Sequence, residues 1–111
     1  MQRGDVYYAN LDPSRGSEMQ KTRPVVIVSN NAANGASALV TVLPVTSNVT
    51  RIYPFEVKLP AKGTGLGKDS KAMAQQVRTL DKGRLGSHAA GKVSAGLMVQ
   101  IDVALRLHLA L

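Results

Sequence analysis

The sequence predicts a mainly β (α+β) fold: a small, strongly curved antiparallel sheet or partly open barrel, capped by a C-terminal α-helix. Three observations lead there. Short apolar and β-branched runs recur at close spacing, each bounded by Gly, Pro, Asn or Ser. A length of 111 residues leaves room for one hydrophobic core, so residues 1–111 read as a single domain. Helical periodicity takes over only from Ser94. With 44% hydrophobic and 19% charged residues, the chain has the balance of a folded protein rather than a disordered one.

The first strand runs from Asp5 to Leu11, where Val6, Tyr7 and Tyr8 favour a pleated surface. The cluster Asp12-Pro13-Ser14-Arg15-Gly16-Ser17 ends it and opens a long polar loop that reaches Thr22. Val25-Val26-Ile27-Val28 is too short for a helix and apolar throughout, as expected of a central strand buried on both faces. Asn30 to Ser37 can hold a turn or one short helical segment, and Leu39 to Val45 forms the third strand. Ile52 to Leu59 alternates, with Tyr53, Phe55, Val57 and Leu59 on one face, and Pro54 directs it to an edge or bulge. The glycine-rich stretch Lys62 to Lys68 reads as a flexible connector, and Ser70 to Thr79 as a fifth strand whose Ala72-Met73-Ala74 core also suits a helix. Ser94 is placed to cap the final helix, with Leu97, Ile101, Ala104 and Leu105 on its inner stripe and Asp102 paired with Arg106. Val99, Val103 and Leu107 leave that helix apolar on a second side, which favours a homodimer.

Fourteen Lys and Arg against seven Asp and Glu give a net charge of +7, a field that favours a polyanionic partner: RNA, DNA or an acidic protein segment. The absence of cysteine removes disulfides, thiolate zinc sites and thiol nucleophiles, and suits a reducing compartment such as the cytoplasm. No stretch is apolar over the ~18 residues needed to span a bilayer, so no membrane association is expected. In that compartment Arg3-Gly4-Asp5 and Asn48-Val49-Thr50 lose their extracellular meanings.

Conventional catalytic constellations are missing. A P-loop needs four residues between its glycines and a hydroxyl after its lysine, whereas three residues separate Gly63 from Gly67 and Asp69 follows Lys68. Asp5, Asp12, Glu18, Glu56, Asp69, Asp81 and Asp102 are scattered, and His88 and His108 lie far apart, so neither a metal centre nor a nucleophile triad is indicated. No cofactor is expected. The remaining candidate lies at two strand ends: Lys21-Thr22-Arg23-Pro24 enters the second strand, and Pro44-Val45-Thr46-Ser47-Asn48 leaves the third. A short connection makes these strands an antiparallel pair, which brings Arg23 beside Thr46. An arginine next to a hydroxyl in a basic domain can hold a phosphate; it is also a common surface pairing.

The blocks Arg3-Gly4-Asp5-Val6-Tyr7, Leu11-Asp12-Pro13, Gly16-Ser17-Glu18, Thr22-Arg23-Pro24-Val25-Val26, Leu43-Pro44-Val45-Thr46, Tyr53-Pro54-Phe55-Glu56-Val57 and Gln76-Val77-Arg78-Thr79-Leu80-Asp81 span nearly the whole chain. In order and spacing the sequence resembles the MazF/PemK toxins of bacterial toxin–antitoxin systems. That resemblance implies a small SH3-like barrel with a C-terminal helix and a homodimer. It further implies a metal-independent endoribonuclease that cuts single-stranded mRNA and is inhibited by an acidic antitoxin lying in the RNA groove. Matched residue by residue, the family's catalytic arginine falls on Arg23 and its catalytic threonine on Thr46. The loop glutamate of some members falls on Glu18, and an RNA-contacting glutamine on Gln76. Ser17, Lys21, Thr22, Ser47, Asn48 and Arg78 are the further RNA contacts expected around them.

The implied chemistry suits these residue types. RNA cleaved through its own 2′-hydroxyl requires alignment, charge stabilisation on the pentacoordinate phosphate and proton transfer at two oxygens. Arg23 would face the phosphorane oxygens and is the candidate to protonate the 5′-oxygen, and Thr46 would donate to a non-bridging oxygen. A guanidinium holds its proton too tightly to serve as base; Glu18 is one candidate for that role and could equally shape the pocket. With four aromatic residues and no Trp, base readout would rest mainly on hydrogen bonds and loop shape. The same fold also serves toxins that poison DNA gyrase by binding protein, which is the alternative function at this stage.

Overall fold

The computed structural model describes residues 1–11 and 22–111. Its sheet contains the strands β1 (Asp5–Asn10), β2 (Thr22–Ile27), β3 (Leu39–Thr46), β4 (Glu56–Leu59), β5 (Ser70–Met73), β6 (Arg78–Asp81) and β7 (Gly91–Lys92). The helices are α1 (Asn31–Ala36) and α2 (Ala95–Leu109), and 3-10 turns occupy Ala74–Gln76 and Lys82–Arg84. All pairings are antiparallel, in the order β4-β5-β3-β2-β1-β7, with β6 also on β3.

The curvature originates at β3. One edge of it pairs with β2, while the other takes β6 along Leu39–Val42 and β5 at Val45–Thr46. Between those two pairings the chain makes the Ala74–Gln76 turn, closed by the Val77 N–H donating to the Ala74 carbonyl at 3.1 Å. The expected fifth strand, Ser70 to Thr79, is therefore two strands broken by a helical turn. Both propensities read in that segment are realised, each over a few residues.

The sheet is buried on both faces. On one face Val26, Leu43, Val45, Val57, Leu59 and Ala72 meet Met98, Ile101 and Ala104 of α2. On the other, Tyr7, Ala9, Val25, Ile27, Val40, Val42, Leu80 and Leu85 form a second cluster. Each fully buried Val, Leu or Ile contributes roughly 1.5–3 kcal/mol, so these two layers carry most of the stability. This double burial is why 25–28 is apolar without alternation. Helix α2 starts as expected, with Ser94 Oγ accepting the Leu97 N–H at 3.2 Å.

Three expectations change. The strand predicted over Ile52 to Leu59 begins only at Glu56, because a turn in which Glu56 N–H donates to the Tyr53 carbonyl (2.9 Å) occupies the residues around Pro54. Tyr53 is thereby exposed, and Glu56, on the strand face opposite Val57 and Leu59, is buried. Asp102 pairs with Arg3 instead of Arg106; the Arg3 guanidinium is already fixed by its Nε donating to the Val28 carbonyl at 2.8 Å, so it loses less freedom on pairing. The glycine-rich connector is packed rather than loose. Gly65, at φ +79°, passes so close to β7 that a Cβ would stand 2.0 Å from the Ala90 carbonyl oxygen, and Thr64 and Leu66 beside it are buried. Among the described residues no helix is long and apolar enough to cross a membrane.

Candidate active site

The β2–β3 register pairs Val25 with Pro44 and Val26 with Leu43; continued two places beyond Val25 it sets Arg23 opposite Thr46. On its other edge β3 pairs Thr46 with Lys71, and β5 pairs Lys71 with Lys58. Arg23, Thr46, Lys71 and Lys58 thus form one row across four strands and share a face of the sheet. That face carries the second core cluster up to Val25 and Val42; beyond these residues it becomes polar. The site is the place where a buried face runs out.

Two adjoining concavities lie there, and Arg23 and Thr46 line both. The larger, of about 500 Å³, adds Leu11, Pro44, Asn48, Lys71, Met73, Gln76 and Arg78. The smaller, of about 200 Å³, adds Tyr8, Thr22, Ser47, Lys68 and neighbouring backbone. Gln76 reaches the groove because the Ala74–Gln76 turn ends there. Arg78 lies at the start of β6, its Nη1 donating to the Leu11 carbonyl at 3.4 Å. Thr46 Oγ1 accepts the Asn48 N–H at 3.2 Å and has no acceptor for its own proton among the described residues, so the hydroxyl can serve as a donor in the groove. Four cationic side chains, Arg23, Lys68, Lys71 and Arg78, line the combined surface, and no carboxylate lines it among the described residues.

Beneath the larger concavity sits a buried ion pair. Lys71 Nζ donates to Glu56 Oε1 at 2.8 Å and to the Arg51 carbonyl at 2.7 Å. Glu56 also accepts the Tyr53 N–H at 2.9 Å and Gln75 Nε2 at 2.6 Å. Burial alone would raise the Glu56 pKa; the hydrogen bonds from Lys71, Tyr53 and Gln75 and the Lys71 charge outweigh it and hold the carboxyl below its ordinary value.

Every sequence-predicted site residue within the described part of the chain lines one of the concavities: Thr22, Arg23, Thr46, Ser47, Asn48, Gln76 and Arg78. Ser17, Glu18 and Lys21 lie in 12–21, outside the described residues, as does most of the long loop read between Asp12 and Thr22. Sequence reasoning missed Lys71 and Lys68. Lys68 stood in what looked like a connector. Glu56 shares the polar parity of β4 with Lys58, but β5 (Ser-Lys-Ala-Met) does not alternate, so no local pattern marked Lys71 for burial beside Glu56. His88 and His108 are exposed and line neither concavity. Among the described residues no group of three His, Asp or Glu could hold a metal ion.

The sequence matches the PemK-like, MazF-like toxins of type II toxin–antitoxin systems over residues 2–109. The chain belongs to this family. It is 47% identical to the endoribonuclease MazF9 of Mycobacterium tuberculosis, covering 100% of this chain and 98% of that protein. It is 39% identical to the endoribonuclease MazF of Staphylococcus epidermidis, covering 100% and 92%. Among solved structures, a mycobacterial endoribonuclease in complex with its cognate antitoxin superposes with a TM-score of 0.83 at 31% identity, covering 100% of this chain and 96% of that one. MazF of Deinococcus radiodurans gives 0.81 at 30% identity, covering 100% and 97%. The antiparallel half-barrel with its C-terminal helix is the architecture shared with these toxins.

Proposed function

We propose that the groove around Arg23 and Thr46 cuts single-stranded RNA through the RNA's own 2′-hydroxyl. The chain is an endoribonuclease toxin restrained by an antitoxin, as its full-length likeness to MazF endoribonucleases and to toxin–antitoxin complexes supports. The observation that carries the assignment of the site is the β2–β3 register, which sets a guanidinium opposite a free hydroxyl proton in a groove lined by further cations.

In this mechanism the 2′-oxygen attacks the adjacent phosphorus while the bond to the 5′-oxygen breaks. The products are a 2′,3′-cyclic phosphate and a 5′-hydroxyl. Arg23 neutralises charge on the phosphorane's non-bridging oxygens by charge-assisted hydrogen bonds, and Thr46 donates to one of them. The attacking hydroxyl's proton goes to a base, for which Glu18 is the candidate. The leaving 5′-oxygen gains a proton, for which Arg23 is the candidate donor, itself reprotonated from solvent. Thr22, Ser47, Asn48, Gln76 and Arg78 hold the flanking nucleotides, joined by Ser17 and Lys21. No step of this mechanism calls for a metal ion or cofactor.

The antitoxin is read as an acidic segment that competes for the same basic groove. The active form is read as a homodimer formed through the exposed Val99, Val103 and Leu107 stripe of α2. Residues 1–111 constitute one toxin domain acting in the cytoplasm. The test is cleavage of a long RNA by pure protein in EDTA, followed by the same substrate with a 2′-deoxy sugar at the scissile nucleotide. Cutting in EDTA and no cutting of the deoxy substrate are expected; cleavage of the deoxy-substituted RNA would overturn the mechanism.

A further inference from the structure

Lys71 is a buried cation in the wall of a groove read as an RNA site, yet two of its three ammonium protons are donated to Glu56 and the Arg51 carbonyl. Glu56 in turn holds two neighbours: the Tyr53 N–H of the β3–β4 connection and the Gln75 amide of the turn that ends in Gln76. Two groove walls, one carrying Asn48 and the other Gln76, are thus tied through a single carboxylate. A carboxylate that serves as this clamp would, without a partner, set a fixed negative charge beside RNA phosphates. Its side chain is only 2% exposed, so water cannot screen it.

We infer that Lys71 is a positioning residue for RNA binding: it neutralises Glu56 so that this clamp can join the β3–β4 connection to the Gln76 turn without repelling the substrate. The inference rests on the reading of the groove as the RNA site. Among the described residues, Lys71 Nζ itself lies over the Tyr53 ring, 5.8 Å from its centroid. Arg51 extends over the Tyr53 ring, 5.7 Å from its centroid, and its guanidinium donates to the Tyr53 hydroxyl. Lys58 is the partner of Lys71 across β4, and Arg23 and Arg78 share the groove. From α2, Val99, Gln100 and Val103 border the concavity on the far side of Glu56, and none of them titrates. With Lys71 replaced by a neutral side chain, the buried carboxyl loses the contact that keeps it ionised, and its pKa rises.

The experiment measures KM and kcat for a short RNA substrate as a function of pH in Lys71→Met, Lys71→Arg, Glu56→Gln and the double variant Lys71→Met/Glu56→Gln. Arg23→Ala is run alongside. At about pH 8, Lys71→Met is expected to raise KM about tenfold or more, with kcat little changed. As the pH is lowered the defect should shrink as Glu56 takes up a proton, while the wild type shows no such trend over the same range. The double variant, free of the buried charge, should return KM close to the wild-type value at every pH. An unchanged KM in Lys71→Met overturns the inference. So does a pH-independent defect that the double variant fails to repair, since Lys71 would then contact RNA directly. If circular dichroism shows Lys71→Met unfolded, the double variant and Lys71→Arg decide, with near-wild-type KM in both as the supporting result and a raised KM in the double variant as the refuting one. Full activity of Arg23→Ala would instead show that the groove reading itself is wrong.

Discussion

Arg23→Ala removes the guanidinium that stands opposite Thr46 in the β2–β3 register. The side chain is exposed, at the start of a strand whose inward residues Val25 and Ile27 are fully buried, so its loss leaves both core clusters intact. Folding stability should change by no more than about 0.5 kcal/mol. The effect on cleavage is of a different size. One preorganised donor to a developing oxyanion contributes about 3 kcal/mol, and at about 1.4 kcal/mol per decade this slows the chemical step roughly 10²-fold or more. Thr46→Ala removes a neutral donor, which is about half as strong as a charge-assisted one, so its loss should be near tenfold. Arg23→Lys keeps the charge but not the planar fork, and should fall between wild type and Ala. The assay is single-turnover cleavage of a fluorogenic RNA oligonucleotide in EDTA, with enzyme in excess so that the chemical step is read apart from product release. A rate for Arg23→Ala within a few-fold of wild type would refute the reasoning and move the site elsewhere.

Glu56 links stability to acid. Its carboxyl titrates in the folded chain below the ordinary 4.5, so the unfolded chain takes up its proton first. The stabilisation is present above pH 4.5 and is lost as pH falls through the folded value. Urea midpoints measured against pH should therefore show an acid limb that Glu56→Gln flattens; an unaltered limb in the variant would contradict the network described. The α2 stripe is tested by Val103→Glu, which places a charge in the middle of three exposed apolar residues 55–61% accessible to solvent. Sedimentation is expected to show a dimer for the wild type and a monomer for Val103→Glu, and a dimeric Val103→Glu would move the subunit interface off α2.

Much of the site was legible because its geometry is a matter of register. Once Val25–Ile27 and Leu39–Thr46 are recognised as consecutive antiparallel strands, the residue before Pro24 and the residue after Val45 must meet. The family blocks carry the same two positions. Gln76 was found through the resemblance, but the reason that it reaches the groove was not legible. Ser70 to Thr79 has both strand and helix propensity in local sequence, and only pairing with two different stretches of β3 decides where each applies. Lys68 was hidden because glycines at 63, 65 and 67 read as slack. Their actual use at Gly65 is a close backbone crossing with β7, which no local pattern encodes.

By itself the sequence determined the first three strands and the final helix, the mainly β architecture, the cationic character and the placing of Arg23 opposite Thr46. These follow from periodicity, turn residues, charge count and short-range connection, all local properties of a chain. The tertiary structure alone decided that β3 shares one edge between β5 and β6, that Asp102 bonds Arg3 across the domain, and that Lys71 and Glu56 are buried together beneath the groove. Those outcomes depend on which distant segments meet. The free energy of a buried charge is set by its partner and by exclusion of water, and neither is a property of the residue or of its neighbours in sequence.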